Sequence, residues 1–273
     1  MRCPDPVSSR QRGVTLIEMV IVISITAIIA GGVAVFISRP FESYVDAARR
    51  AELTDIADTA LRRMTRDVRT ALPNSIRITT VGGVTYLEYL QTSGGARYRA
   101  EPDSAGGGDP LLFTTADSSF DVVGTMPTFA GGESIVIYNL ANSGATANAY
   151  FGDNRAAYSS NTASTITLTA ATQFPFASPG KRFHVVQYAV TYSCNPATGD
   201  LRRYWNYGIT AAQATPPVTA NNALLATNIT ACSFSYDATG TGLRTGLLTL
   251  TLKVERDNEA VQLFQQVHLN NVP

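Results

Sequence analysis

The sequence predicts an α+β protein in which a long N-terminal helix packs on a C-terminal domain rich in antiparallel β-sheet. Three observations carry that prediction. Residues 14–37 form an apolar run containing one ionisable side chain, Glu18. Residues 41–72 then repeat apolar side chains near a spacing of four, in a stretch rich in alanine, arginine and leucine. From residue 75 onward, short β-prone runs alternate with glycine and asparagine turns.

The first element is the apolar run, VTLIEMVIVISITAIIAGGVAVFI. Its 24 residues span about 36 Å as a helix at about 1.5 Å per residue, enough to cross a bilayer. Arg2, Arg10 and Arg12 precede it, opposed only by Asp5. This bias places the short N-terminus in the cytoplasm and everything beyond Ile37 across the membrane. A cleavable secretory signal is the competing reading, with Ala30-Gly31-Gly32 as its small-residue site. Such a signal has an apolar core of about 7–15 residues, and this run is longer. Gly31-Gly32 costs about 2 kcal/mol of helix propensity relative to alanine. It reads either as a point of local melting or close helix contact, or as a plain small-residue packing patch.

The second element is an amphipathic helix. Val45, Ala48, Ile56, Ala60, Met64, Val68 and Leu72 form its apolar stripe, as one face of a 3.6-residue period requires. Asp58 with Arg62, and Arg63 with Asp67, stand at i,i+4 spacing on the outer face. Pro73 stops the helix. If Pro40 only kinks the path, helix runs through residues 14–72, about 90 Å of it.

The third element is the β-rich region. Residues 75–81 and 84–90 flank Gly82-Gly83, a two-residue hairpin turn. After Gly94-Gly95, residues 96–99 read as a third strand of a meander. Further strands are expected at 134–139, 165–169, 184–192, 201–207, 231–236, 247–256 and 260–269, with Asp257-Asn258 turning between the last two. Residues 105–109 and 142–164 read as loops, the second long and carrying edge pieces.

Composition narrows the chemistry. Basic and acidic residues balance at 21 each, so no global charge argues for nucleic acid. His184 and His268 are the only two histidines, which excludes a histidine-rich metal site, and both read as structural strand residues. No acid/base pair or metal cluster of recognisable spacing appears; the expectation is no enzyme, no catalytic residue, no metal and no cofactor. Asp103, Asp109, Asp153 and Asn154 lie in glycine-rich stretches such as calcium sites use, but without EF-hand spacing they read as solvated loop acids. Tyr204, Trp205 and Tyr207 could stack on a sugar, yet strand alternation sends Tyr204 and Trp205 to opposite faces. Cys194 and Cys232 fall at strand ends in the part expected outside the cytoplasm, where a disulfide is the default; two free buried thiols are the alternative.

The residues in front of the apolar run are more specific. Arg10-Gln11-Arg12-Gly13-Val14-Thr15-Leu16-Ile17-Glu18 resembles the processing site of type IV prepilins. The resemblance implies cleavage between Gly13 and Val14 by a prepilin peptidase and N-methylation of Val14, where the family usually has phenylalanine. It divides the chain into a cytoplasmic leader (1–13), a transmembrane half-helix (14–37), an amphipathic half-helix (38–72) and a β-rich pilin head (73–273). Cys3 would leave with the leader. A carboxylate inside a membrane helix costs about 2.5–3.5 kcal/mol on insertion scales, so Glu18 either marks a function or lies at the headgroup boundary. The family's equivalent glutamate is believed to pair with the free amine of a neighbouring subunit, which implies an assembly role for Glu18.

The resemblance extends further. SYVDAARRAELTDIADTALRRMTRDVRTALPNSIRI (43–78), GGARYRA (94–100) and QVHLNNVP (266–273) resemble minor pilins of the mannose-sensitive haemagglutinin (MSHA) pilus system. These segments make up about a fifth of the chain. They imply a low-abundance subunit that initiates, primes or caps a filament. Its implied partners are the prepilin peptidase, major and minor pilins joined through helix packing, the pilus assembly platform, and the inner membrane before assembly. The implied location is a single-pass inner-membrane protein with a periplasmic head, then the pilus at the cell surface. A type II secretion pseudopilin and a monomeric anchored binding protein are the rival readings.

Overall fold

A computed structural model describes residues 13–144, 146–218, 220–238 and 245–272, with backbone alone at 35 and 38–43. The chain divides into two compact units, Met1–Ala51 and Glu52–Pro273. One helix, α1 (Leu16–Val68), contributes to both. The strands are β1 (Arg77–Val81), β2 (Val84–Tyr98), β3 (Asp117–Val123), β4 (Ser134–Ile137), β5 (Arg155–Asn161) and β6 (Thr165–Thr172). They continue with β7 (Arg182–Asn195), β8 (Asp200–Tyr207), β9 (Asn221–Ala226), β10 (Ile229–Asp237), β11 (Thr245–Arg256) and β12 (Glu259–Asn270). An N-terminal apolar helix and a large antiparallel β-rich domain are thus both present, compatible with a pilin-like α+β fold.

In the first unit the helix begins behind Thr15 and passes through Gly31-Gly32 and Pro40 without interruption. Its apolar side chains from Leu16 to Ile29 are exposed. Residues Leu16–Ala34 are long and apolar enough to cross a membrane.

In the second unit the helix is amphipathic in fact. Leu53, Ala57, Ala60, Leu61, Met64 and Val68 are buried, the i, i+4, i+7 pattern of one helical face. Val45 and Ala48, expected on the stripe, are exposed and belong to the first unit. The helix ends at Val68, four residues short of the expected Leu72. Beyond it the Leu72 N–H donates to Leu90 O at 2.8 Å and the Thr92 N–H to Thr70 O at 2.9 Å, so this segment joins β2 instead. Pro73 also disfavours helical geometry at Leu72.

The strands form a nine-stranded sheet, β1-β2-β3-β6-β5-β4-β7-β8-β9, and a separate three-stranded sheet, β10-β11-β12. An additional β2–β7 pairing closes six strands of the first sheet into a ring: β2, β3, β6, β5, β4 and β7. Tyr98, Phe120, Ile135, Ile166, Phe174 and Phe183 fill it as one core. The other ends of β2 and β7, with β8 and β9, form a second core together with the helix and the three-stranded sheet. β2 and β7 therefore serve both cores. Both predicted hairpin turns are present, with positive φ at Gly82 and Gly83 and at Asp257 and Asn258, as a tight two-residue hairpin turn demands.

Three expectations need correction. Gly94-Gly95 is no turn: β2 runs straight through it, with register shifts against β7 beside it. A Cβ on Gly95 would lie 2.6 Å from Phe183 O, so this glycine serves close backbone approach rather than a reversal. The expected loop 142–164 contains β5, which completes the ring. Strands β3 and β9 were not expected: DSSFDVV is broken by two aspartates and two serines, and NNALLA has no β-branched or aromatic residue. Pairing with β6 and with β8 overrides that weak propensity.

Candidate functional site

The candidate site is the N-terminal segment. Gly13 and Val14 lie ahead of the helix and are exposed, and nothing approaches within 4 Å of the position a Gly13 Cβ would take. Thr15 caps the helix: its Oγ1 accepts the Glu18 N–H at 3.3 Å and its carbonyl accepts the Met19 N–H at 3.1 Å. Thr15-Leu16-Ile17-Glu18 thus has capping-box spacing, and the Glu18 carboxylate sits in the first turn, where the helix dipole favours a negative charge. The bond uses the Glu18 backbone, so the local reason for a carboxylate at this position is its place in the first turn of the helix, a feature legible in the four letters TLIE. It coexists with any intersubunit role, because a side chain at a helix's first turn remains open to an outside partner.

The rest of the span satisfies its own polar groups. Ser24 Oγ donates to Val20 O and Thr26 Oγ1 to Val22 O, both at 2.7 Å, so neither hydroxyl needs water. Nothing lies within 4 Å of a Cβ built on Gly31 or Gly32. No contact within the chain explains that pair.

In the head, Asp67 fastens the end of the helix. It was expected on the outer face with Arg63, and that pair is present at 3.2 Å. Asp67 also accepts the Tyr192 hydroxyl at 2.8 Å and pairs with Arg203 at 2.9 Å, which places it against the sheet. Burial pushes the Tyr192 hydroxyl upward, keeping it a donor. Asp58 and Arg62 do form the expected exposed pair, at 2.6 Å. A second fastening joins Cys194 on β7 to Cys232 on β10 by a disulfide, with Cα atoms 6.5 Å apart. It links the nine-stranded sheet to the three-stranded one.

A third cluster was invisible in the sequence. Arg77 pairs with the fully buried Glu88 at 2.8 Å, donates to Ala211 O and Thr210 O, and lies 3.6 Å from the Tyr150 ring centroid. Burial pushes the Glu88 carboxyl up to about 7, against the opposing pull of Arg77 and of hydrogen bonds from Thr191 and Tyr207. These residues join β1, β2 and two loops from distant parts of the chain.

The weaker constellations do not assemble. Asp103 accepts the N–H groups of Ala105 and Gly107, and Asp153 those of Ala147 and Asn148, while Asn154 is buried beside Asn139. Asp109 accepts the Ser119 hydroxyl at 2.6 Å. Among the described residues no group of three or more His, Cys, Asp or Glu could hold a metal ion. Trp205 packs on the helix-side core, whereas Tyr204 and Tyr207 belong to a different cluster. His184 is half-buried in β7 and His268 exposed on β12. Arg2, Cys3, Asp5, Arg10 and Arg12 lie outside the described residues.

Comparison with known proteins adds one finding. The family model for the prokaryotic N-terminal methylation motif matches residues 8–34. No curated protein and no solved structure matches the chain. The motif, joined to an exposed apolar helix, supports a type IV pilin- or pseudopilin-like protein. It implies processing by a prepilin peptidase and assembly with other pilins, and it is consistent with membrane anchoring and incorporation into a filament.

Proposed function

We propose that this chain is a minor pilin of an MSHA-like type IV pilus, assembled through its N-terminal helix to initiate, prime or cap the filament and so support pilus biogenesis and adhesion. The observation that carries the filament reading is the methylation motif at 8–34 running directly into an exposed apolar helix. Leu16 to Ile29 find no cover among the described residues, and such a surface needs lipid or other helices. The MSHA assignment rests on the likeness of residues 43–78, 94–100 and 266–273 to the MSHA biogenesis protein MshO. The role is structural rather than enzymatic.

On this reading the peptidase cuts between Gly13 and Val14, and Val14 becomes the methylated N-terminus. The new amine then lies one helical turn from Glu18. An axially shifted neighbour presents its amine to this carboxylate, which offsets the cost of holding a lone charge in an apolar filament core. Before assembly the N-terminus is cytoplasmic and the head periplasmic, as the leader arginines favour.

A type II secretion pseudopilin shares the motif and remains the second reading. Fractionation separates the two: a minor pilin appears in sheared MSHA-type pili, and a pseudopilin does not. N-terminal sequencing and intact mass test the common step. The mature chain is expected to begin at methylated Val14; a chain retaining Met1 in cells with active prepilin peptidase overturns the proposal. Glu18→Ala is expected to be processed normally yet to fall at least about tenfold in the filament fraction. Undiminished incorporation of that variant removes the assembly role from Glu18.

A further inference from the structure

Most head arginines hold a carboxylate. Arg62, Arg77, Arg99, Arg203 and Arg256 each form an ion pair with an aspartate or glutamate. Arg66, Arg69, Arg97, Arg155 and Arg182 have no ion pair among the described residues, and three of these, Arg69, Arg97 and Arg182, are grouped together. Two of them are directly opposed: Arg97 on β2 faces Arg182 on β7 in the antiparallel register. Like charges placed so are destabilising by a few tenths of a kcal/mol or more. A chain of zero net charge has acids enough to neutralise them, yet none pairs with them among the described residues.

The same three arginines border two adjoining cavities. One, of about 230 Å³, is lined by Arg69, Asn74, Arg182 and His184 beside the end of β12. The other, of about 530 Å³ and more open, is lined by Gly94, Gly95, Arg97, Arg182 and His184. Thr92, Arg182 and His184 border both, and among the described residues no carboxylate lines either. His184 Nε2 is buried there without a hydrogen-bond partner. The other polar groups are already engaged: Thr92 Oγ1 donates to Thr70 O, and Asn74 Nδ2 to Asn139 O. An orphaned imidazole nitrogen beside unneutralised guanidinium groups lacks one thing, an acceptor that carries negative charge.

We propose that this cavity pair binds an oxyanion (a carboxylate, sulfate or phosphate group), held by Arg69, Arg97 and Arg182 with His184 Nε2 as its buried donor. Guanidinium forks match the planar or tetrahedral oxygens of such groups. Arg182 and His184, which border both cavities, place the anionic group at their junction, with Arg69 on the smaller side and Arg97 on the larger. The larger, more open cavity leaves room for a ring that carries it. Burial and the Arg182 charge hold the His184 imidazole down at about 4, so it meets the anion as a neutral N–H donor.

Two probes distinguish a free ion from a carried one: inorganic sulfate and galacturonate, titrated into the full chain in detergent at constant low ionic strength. Calorimetry reads the affinity, and proton NMR of the two histidines reads the site, with exposed His268 as internal reference. Saturable binding is expected, with an upward shift of the His184 titration midpoint and none at His268. Arg97→Gln/Arg182→Gln is expected to weaken binding about tenfold or more, the loss of roughly one charge-assisted contact, while Arg62→Gln leaves it unchanged. Both substituted side chains are exposed, and relieving the opposed charges is expected to raise the melting temperature slightly at low salt, so the variant stays folded. Tighter binding of galacturonate than of sulfate identifies a carried anion; equal or weaker binding identifies the free ion. No saturable binding of either probe, or equal binding by the double variant, overturns the proposal.

Discussion

Residues 16–34 and residues 53–68 belong to one helix, yet their apolar side chains have opposite fates. In the first stretch they are exposed all round. In the second they form a stripe sealed against two sheets, with Leu53, Ala60 and Met64 wholly buried. The difference teaches what each stretch is for. A stripe with a polar back can be satisfied inside one chain, whereas a helix apolar on every face needs lipid or other helices around it. Glu18 and Asp67 repeat the contrast in charge. Asp67 finds Arg203 and Tyr192 at the head, while the contact described for Glu18 is that of its backbone N–H with Thr15.

The sharpest way to break this comparison is a pair of truncations. Met64→Ala is expected to destabilise the head by about 2–5 kcal/mol, as a large-to-small change in a closed core does. Ile25→Ala, in the exposed stretch, is expected to stay within about 0.5 kcal/mol. Urea unfolding of the full chain in detergent, followed by the near-ultraviolet signal of Trp205, measures both. Equal losses would erase the distinction between the two stretches.

Next in size is the disulfide. Cys194 and Cys232 are separated by 38 residues, and opening such a loop by Cys194→Ala/Cys232→Ala is expected to cost about 2–4 kcal/mol. Asp67→Asn follows, at about 1–3 kcal/mol, because Arg203 and Tyr192 lose their charged acceptor. Methyl groups of Leu61 and Met64, read by NMR, are expected to shift in that variant. Unchanged shifts would make the ion pair incidental to helix docking.

The smallest effect is on pH dependence, where two buried groups oppose each other. Glu88 is raised to about 7 in the folded head. Between its unfolded value and 7 the folded state holds the extra proton, so this stability is present at low pH and lost as pH rises through 7. His184 is lowered to about 4. Its neutral form is native, so its contribution is present above about 6.5 and lost as pH falls through 4. Each slope is at most about 1.4 kcal/mol per pH unit. Glu88→Gln is therefore expected to leave stability rising between about pH 4 and 6.5, and His184→Gln to leave it falling between about pH 4.5 and 7. Melting temperatures across that range check the signs. Identical profiles for the two variants would contradict the assignment.

Much of the fold was legible because it follows local rules. Gly82-Gly83 and Asp257-Asn258 supply the positive φ angles of tight hairpins, and the spacing of Ala60, Met64 and Val68 marks a buried helical face. Gly94-Gly95 misled for a nonlocal reason: the letters of a turn serve a close pass between β2 and Phe183 O. β3 and β9 escaped notice because their pairing partners, rather than their own propensity, make them strands. At the candidate site, Gly13, Val14 and Glu18 were singled out by the resemblance of residues 10–18 to a prepilin processing site, and the structure adds the Thr15 cap at the helix start.

By itself, then, the sequence determined the processing motif, the apolar span, the amphipathic stripe and the hairpin turns, each set by residues close together in the chain. Only the tertiary structure decided that β2 and β7 close a six-stranded ring, that Asp67 turns to Arg203, that Arg77 meets Glu88, and that Arg97 faces Arg182. The physical reason is range. Helix periods, caps and turns are fixed within about four residues, whereas a strand's partner and a buried charge's counter-ion are chosen by whichever distant segment satisfies them at least cost.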